Sequence, residues 1–192
     1  KPAEKPQRRE EPVKKELAPK TEEAQTVKSP EDLGEEVNDE RAQEIRKFLS
    51  GLLQQMEVQA EVKVYLPEKG RYKVFLEGQG LGAIIGRRGE TLDAIQQLTN
   101  YAVNSGADKR IRVHVDAENY RAKREQSLES LARKVAGKVT KYRRSVTLEP
   151  MNAYERHVIH AALQDEPGVT TYSIGSEPNR RVVVSYDREK RQ

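Results

Sequence analysis

The sequence predicts an α+β protein: two small α/β sandwich-like domains after a disordered, charged N-terminal segment. Three observations lead there. Only 35% of the 192 residues are hydrophobic while 34% are charged, too polar a balance for one core of that length. Five of the nine prolines fall in residues 1–36, which carry 8 basic and 10 acidic groups and almost no large apolar side chain. Beyond them, helical spacing and period-two alternation follow one another along the chain, so helices and strands are mixed. The divisions expected are a disordered linker or tail at 1–36, a first domain at 37–116, a second at 117–187 and a C-terminal tail at 188–192.

Residues 1–36 cannot bury enough surface to offset the entropy of ordering. At Asn38 the pattern changes. Asn38 is placed to cap a helix whose first turn holds Asp39 and Glu40, favourable at the positive end of a helix dipole. Ile45, Phe48, Leu49, Leu52, Leu53 and Met56 share one helical face. Val58, Ala60, Val62 and Val64 alternate with Gln59, Glu61, Lys63 and Tyr65 as a half-buried strand. Residues 67–70 make a turn, and Tyr72, Val74 and Leu76 mark a second strand. The glycine-rich stretch 78–89 holds one short helical turn. A second helix follows, with Leu92, Ile95, Leu98, Ala102 and Val103 on one side. Ile111, Val113 and Val115 then alternate with Arg112, His114 and Asp116 as a third strand. About 80 residues in this order are enough to fold alone.

In the second domain Leu128, Leu131, Ala132, Val135 and Val139 mark a long helix whose other faces carry Arg121, Lys123, Arg124, Arg133, Lys134, Lys138 and Lys141. Residues 146–148 form a short strand ended by Pro150. Asn152 and Glu155 make a capping box for a helix running to about Leu163. Residues 169–174 and 181–186 read as two strands joined across 175–179.

Several function classes are excluded. There is no cysteine, so disulfides, thiol catalysis and Cys-based metal sites are absent. A membrane span needs about 20 consecutive apolar residues, and the apolar runs here, such as 182–184, are far shorter. Nothing resembles a signal peptide, so a cytoplasmic protein is expected. The chain opens on Lys1, so the initiator methionine at least is expected to precede it. His157 and His160 lack a third ligand at useful spacing, so no metal is expected. No nucleophile–base set, Walker loop or dinucleotide fingerprint appears, so neither catalysis nor a cofactor is expected. The net charge of +4 is concentrated toward the C-terminal end, which fits nucleic-acid binding without establishing it.

Two motifs carry the functional reading. Ile85-Gly86-Arg87-Arg88-Gly89 contains a G-x-x-G spacing, of which roughly 0.75 matches are expected by chance at this glycine content. Its context, between a short helix and a longer one after two strands, strengthens it. Glycines there let a sugar–phosphate backbone approach the main chain, and the next helix presents N–H groups to phosphate. Arg87 and Arg88 add charge-assisted contacts. A KH domain clamps about four nucleotides of single strand in this way. The second motif is Arg156 and His160, four apart and so on one helical face. Exposed together they supply a phosphate ligand and a stackable ring, with Arg180 and Arg181 before the last strand.

Together these motifs resemble the Jag family of bacterial RNA-binding proteins, also called KhpB or EloR. Residues 82–96 look like its type II KH motif. Residues 151–160 look like the helix of its single-strand-binding domain, named for the Arg-x-x-x-His spacing. Residues 175–184 resemble that domain's closing hairpin. The match covers about residues 38–186. It implies a type II KH domain followed by an Arg-x-x-x-His domain, with RNA contacts at Ile85, Gly86, Arg87, Arg88, Gly89, Arg156, His160, Arg180 and Arg181. It also implies single-stranded RNA as ligand, single-stranded DNA being left open, and a heterodimer with a KH-only partner protein. Envelope-synthesis proteins follow as further partners, with a role in cell elongation and shape and recruitment to the membrane through partners. Many members carry a further N-terminal domain before a charged linker, and this chain opens inside linker-like sequence. The alternative reading is a protein-interaction scaffold that pairs with the KH-only partner, RNA binding being secondary.

Overall fold

In the computed structural model, which describes residues 36–107 and 109–190, Asp39 rather than Asn38 caps the first helix. Its Oδ1 accepts from the Ala42 N–H at 2.7 Å, while Oδ2 accepts from the Tyr72 hydroxyl at 2.8 Å. One carboxylate therefore starts the helix and fixes it to the sheet. The first domain runs α1 (Glu40–Gln55), β1 (Ala60–Glu68), β2 (Arg71–Gly78), α2 (Gly82–Ile85), a 3-10 turn (Arg87–Gly89), α3 (Glu90–Asn104) and β3 (Arg112–Ala117). This is the helix, strand, strand, helix, helix, strand order expected of a type II KH domain. β2 lies between β1, antiparallel, and β3, parallel. Ile45 and Leu49 of α1 and Leu92 of α3 are fully buried against Val64, Val74 and Val113. Each such side chain contributes about 1.5–3 kcal/mol.

The second domain runs α4 (Tyr120–Tyr142), β4 (Val146–Thr147), α5 (Ala153–Ala162), β5 (Val169–Ile174) and β6 (Arg181–Tyr186). β6 is the central strand, antiparallel to both β4 and β5. The capping box is present: the Glu155 N–H donates to Asn152 Oδ1 and the Asn152 N–H donates to Glu155 Oε2. Leu128, Ala132, Val139, Ile159, Leu163, Val182 and Val184 form the core.

Several expectations are corrected. Leu98 is 52% exposed, because α3 buries the 92, 95, 99, 103 face instead. Thr99 takes the inner position and satisfies its hydroxyl by donating to the Ile95 carbonyl at 2.7 Å. Leu131 is likewise exposed, since Leu128, Ala132, Val135, Ala136 and Val139 make the inner face of α4. Asp116 is buried rather than outward. Its Oδ1 accepts from the N–H groups of Ala117 and Arg121, and burial pushes its carboxyl above the usual range. Glu36, assigned to the tail, bridges to Tyr65 and pairs with Arg46. Residues 188–190 are also held: the Gly168 N–H donates to the Lys190 carbonyl at 3.0 Å. The disorder expected of residues 1–35 lies outside the described residues, as do residues 191–192.

Candidate nucleic-acid interface

Helix α2 is stopped by Gly86, whose φ of 70° and ψ of −170° lie in a region open essentially to glycine alone. A Cβ there would sit 2.0 Å from Thr91 Oγ1. At Gly89, with φ 83°, a Cβ would meet the Tyr120 ring at 2.8 Å. Arg88 between them is also left-handed, at φ 60° and ψ 21°. The loop thus turns sharply onto the N-terminus of α3, with Gly86 half-buried against Thr91 and Gly89 buried against the Tyr120 ring. Ile84 is fully buried beneath it and Ile85 is half-buried.

The two loop arginines differ. Arg87 is exposed. Arg88 reaches into the second domain, where it donates to the Pro150 carbonyl and pairs with the Glu149 carboxylate. It is one of several links across the domain junction. Arg121 donates to Asp93 Oδ1 of α3 at 2.7 Å, and Arg124 pairs with buried Glu155 of α5 at 2.8 Å. The first two turns of α4 are therefore tied to both domains. Nothing in the sequence singles out Tyr120, Arg121, Arg124 or Glu149 as site residues, because their partners lie far along the chain.

Arg156 and His160 do share one face of α5, but they are not exposed together as expected. Arg156 is 7% exposed. Its guanidinium donates to the Met151 carbonyl at 2.7 Å and pairs with Glu177 at 2.7 Å. Since the Met151 N–H donates to the Arg180 carbonyl at 3.1 Å, Arg156 pins the 175–180 turn against the start of α5. Arg180 stands exposed on that turn, and Arg181 is half-buried at the start of β6. Arg156 is thus a positioning residue for the segment that displays Arg180.

His160 is half-buried. Its Nδ1 lies 2.7 Å from Thr171 Oγ1 and its Nε2 3.0 Å from Ser173 Oγ, both on β5. Burial, and then the positive groups of His157, Arg156 and Arg180, hold its pKa below 6.5. In acid the unfolded chain takes up this proton first, so the neutral ring's contribution to stability is present above pH 6.5 and lost as pH falls below it. NMR titration should give His160 a midpoint below 6.5, with the second domain melting earlier in acid. A midpoint at or above 6.5 would contradict the burial argument.

Among the described residues, no cluster of three or more His, Asp or Glu is arranged to hold a metal, and no helix is long and apolar enough to cross a membrane. What the structure offers is a sharp glycine turn with one exposed arginine, Arg87, and in the second domain a turn that displays Arg180.

Comparison with known proteins finds relatives for both domains. Residues 42–115 match the family described as KhpA/KhpB, KH domain, and residues 126–186 match the domain family named for its Arg-x-x-x-His spacing. The chain is 44% identical over 147 residues to the RNA-binding protein KhpB of Clostridium symbiosum, covering 76% of this chain and 66% of that protein. It is 36% identical over 148 residues to the Bacillus subtilis (strain 168) protein of the same name, covering 76% and 71%. For the protein of that name from Streptococcus pneumoniae serotype 2 the figures are 30% over 159 residues, 80% and 48%. The chain thus spans about two thirds of the first two relatives and about half of the third. None of these relatives is named as an enzyme. With both domains matched in order, the chain belongs to the KhpB family of RNA-binding proteins.

Proposed function

We propose that this chain binds single-stranded RNA, with the 86–89 loop gripping the backbone and the second domain adding contacts through Arg180, Arg181 and the His160 ring. The observation that carries this is the loop itself. Both glycines adopt conformations that a side chain would spoil, and Arg87 projects freely where a phosphate would meet the start of α3. The names of the relatives support the same reading. From the family resemblance, the RNA bound this way serves post-transcriptional control of cell elongation, shape and envelope synthesis in the cytoplasm.

A second reading, the interaction scaffold paired with a KH-only protein, is favoured by one feature. Leu98 (52% exposed) and Tyr101 (76% exposed), three apart on α3, present an apolar outer face with exposed Ala94. Envelope proteins and the membrane would then be reached through that partner.

Titration of a five-nucleotide RNA at fixed salt tests the first reading. Arg87→Asp replaces a cation with an anion at the phosphate position, so affinity should fall about tenfold, or about 1.4 kcal/mol. Arg87 is the better probe than Arg88, which is already paired. Unchanged affinity with an intact circular dichroism melt would falsify the clamp. If Leu98→Glu abolished heterodimer formation in that case, the scaffold reading would stand.

A further inference from the structure

Helix α4 does more than join two domains. With 3.6 residues per turn, Lys123, Ser127, Leu131, Lys134, Lys138 and Lys141 fall within about 80° of one another, opposite the buried Leu128–Val139 side. All six are exposed. Residues 131–144 carry six cations and no acid. Lys123, Lys134 and Lys138 have no carboxylate partner among the described residues, whereas Glu129, off this stripe, is taken by Arg133. At the far end Tyr142 is 63% exposed, with Lys141 Nζ 5.3 Å from its ring centre. At the near end, on the same stripe, Tyr120 lies against Gly89 of the loop.

An ordinary solvated helix face mixes both signs of charge. This one is a single-sign track that begins at the glycine loop and ends on an open aromatic ring. We propose that it is a second contact surface for the same single-stranded RNA, taking the strand as it leaves the 86–89 loop. Lysine ammonium groups meet phosphates along the strand, Lys123 near the loop and Lys134, Lys138 and Lys141 farther on, and Tyr142 stacks a base. The proposal rests on the clamp reading above. From Tyr120 to Tyr142 the helix runs about 33 Å, the length of about ten stacked nucleotides. Short oligomers should therefore not sense the track, and long ones should.

The test compares RNAs of five and fifteen nucleotides against wild type, Arg87→Asp, Tyr142→Ala and the triple variant Lys134→Gln, Lys138→Gln, Lys141→Gln. Glutamine keeps helix propensity, and a triple Lys→Arg variant controls for charge. The triple Gln variant should bind the five-mer normally. It should bind the fifteen-mer about tenfold more weakly, with a salt slope shallower by about 2, at about 0.7 for each phosphate no longer neutralised. The Arg variant should restore both, and Tyr142→Ala should weaken only the fifteen-mer. An unchanged fifteen-mer affinity and slope, with Arg87→Asp still weakening the five-mer, would overturn the track and leave the clamp standing. If Arg87→Asp has no effect on the five-mer, the clamp reading itself fails. Loss of binding to phosphatidylserine vesicles with RNA affinity unchanged would make the stripe a membrane face and also overturn the proposal.

Discussion

Arg156→Ala is expected to destabilise the second domain by about 2 kcal/mol while leaving the first domain's melt in place. The guanidinium is buried and holds the Met151 carbonyl, which loses its charged donor on truncation. Hydrogen bonds to charged groups contribute about 1.5–3 kcal/mol each. Breaking a fully buried ion pair costs about 3–5 kcal/mol because the orphaned charge stays inside. That larger figure does not apply here, since the Glu177 side chain is 57% exposed and water can take it over. Glu177→Gln should accordingly change stability by less than about 1 kcal/mol. Arg156→Lys should rescue only in part, because a single ammonium cannot span the carbonyl and the carboxylate as the planar fork does. Urea denaturation with amide exchange on α5 and β6 measures this. An unchanged midpoint for those amides would show that Arg156 is not structural. Because the variant also frees the 175–180 turn, weaker RNA binding by Arg156→Ala does not identify a direct contact. Arg180→Ala, at an exposed position, does that more cleanly.

The misplacement of Arg156 shows what limits a reading from sequence. Its spacing to Ile159 and Leu163, three and seven residues on, puts it on the apolar face of α5, next to buried Glu155. The general rule that arginine stays in water argues against that spacing, and it fails where carbonyl and carboxylate partners come from elsewhere in the fold. Leu98 is the mirror case. It reads as interior because it is apolar, yet Thr99 holds the inner position by turning its hydroxyl back on the helix. Strands β5 and β6 and the capping box of α5 are legible because alternation and caps are local signals. The loop's glycines are legible because few other residues adopt those angles. The junction is not. Arg88 meets Glu149 and Arg121 meets Asp93 across 61 and 28 residues, and no local pattern encodes such pairings.

Gly86→Ala tests whether the loop's shape is as constrained as its geometry implies. Ala must adopt φ 70° with ψ −170°, a conformation that costs a residue with a side chain about 1–3 kcal/mol. Its methyl would also lie 2.0 Å from Thr91 Oγ1, 2.7 Å from Thr91 Cβ and 3.1 Å from the Thr91 nitrogen. The hydroxyl can rotate away, but the Cβ and the main chain of α3 cannot, so relief requires the loop to move. The expected loss is about 3 kcal/mol in urea denaturation, together with weaker binding of the five-nucleotide RNA at temperatures where the protein remains folded. Gly82→Ala is the matched control. It lies in α2 with nothing within 4 Å of the added methyl, so it should be neutral or stabilise by up to about 1 kcal/mol. Adding Thr91→Ala to Gly86→Ala removes the hydroxyl but leaves the Cβ and nitrogen contacts, so rescue should be partial. Complete rescue would mean that the strain is only a hydroxyl clash and that the loop's backbone tolerates a side chain. In that case the need for glycine at position 86 would no longer support the proposed clamp.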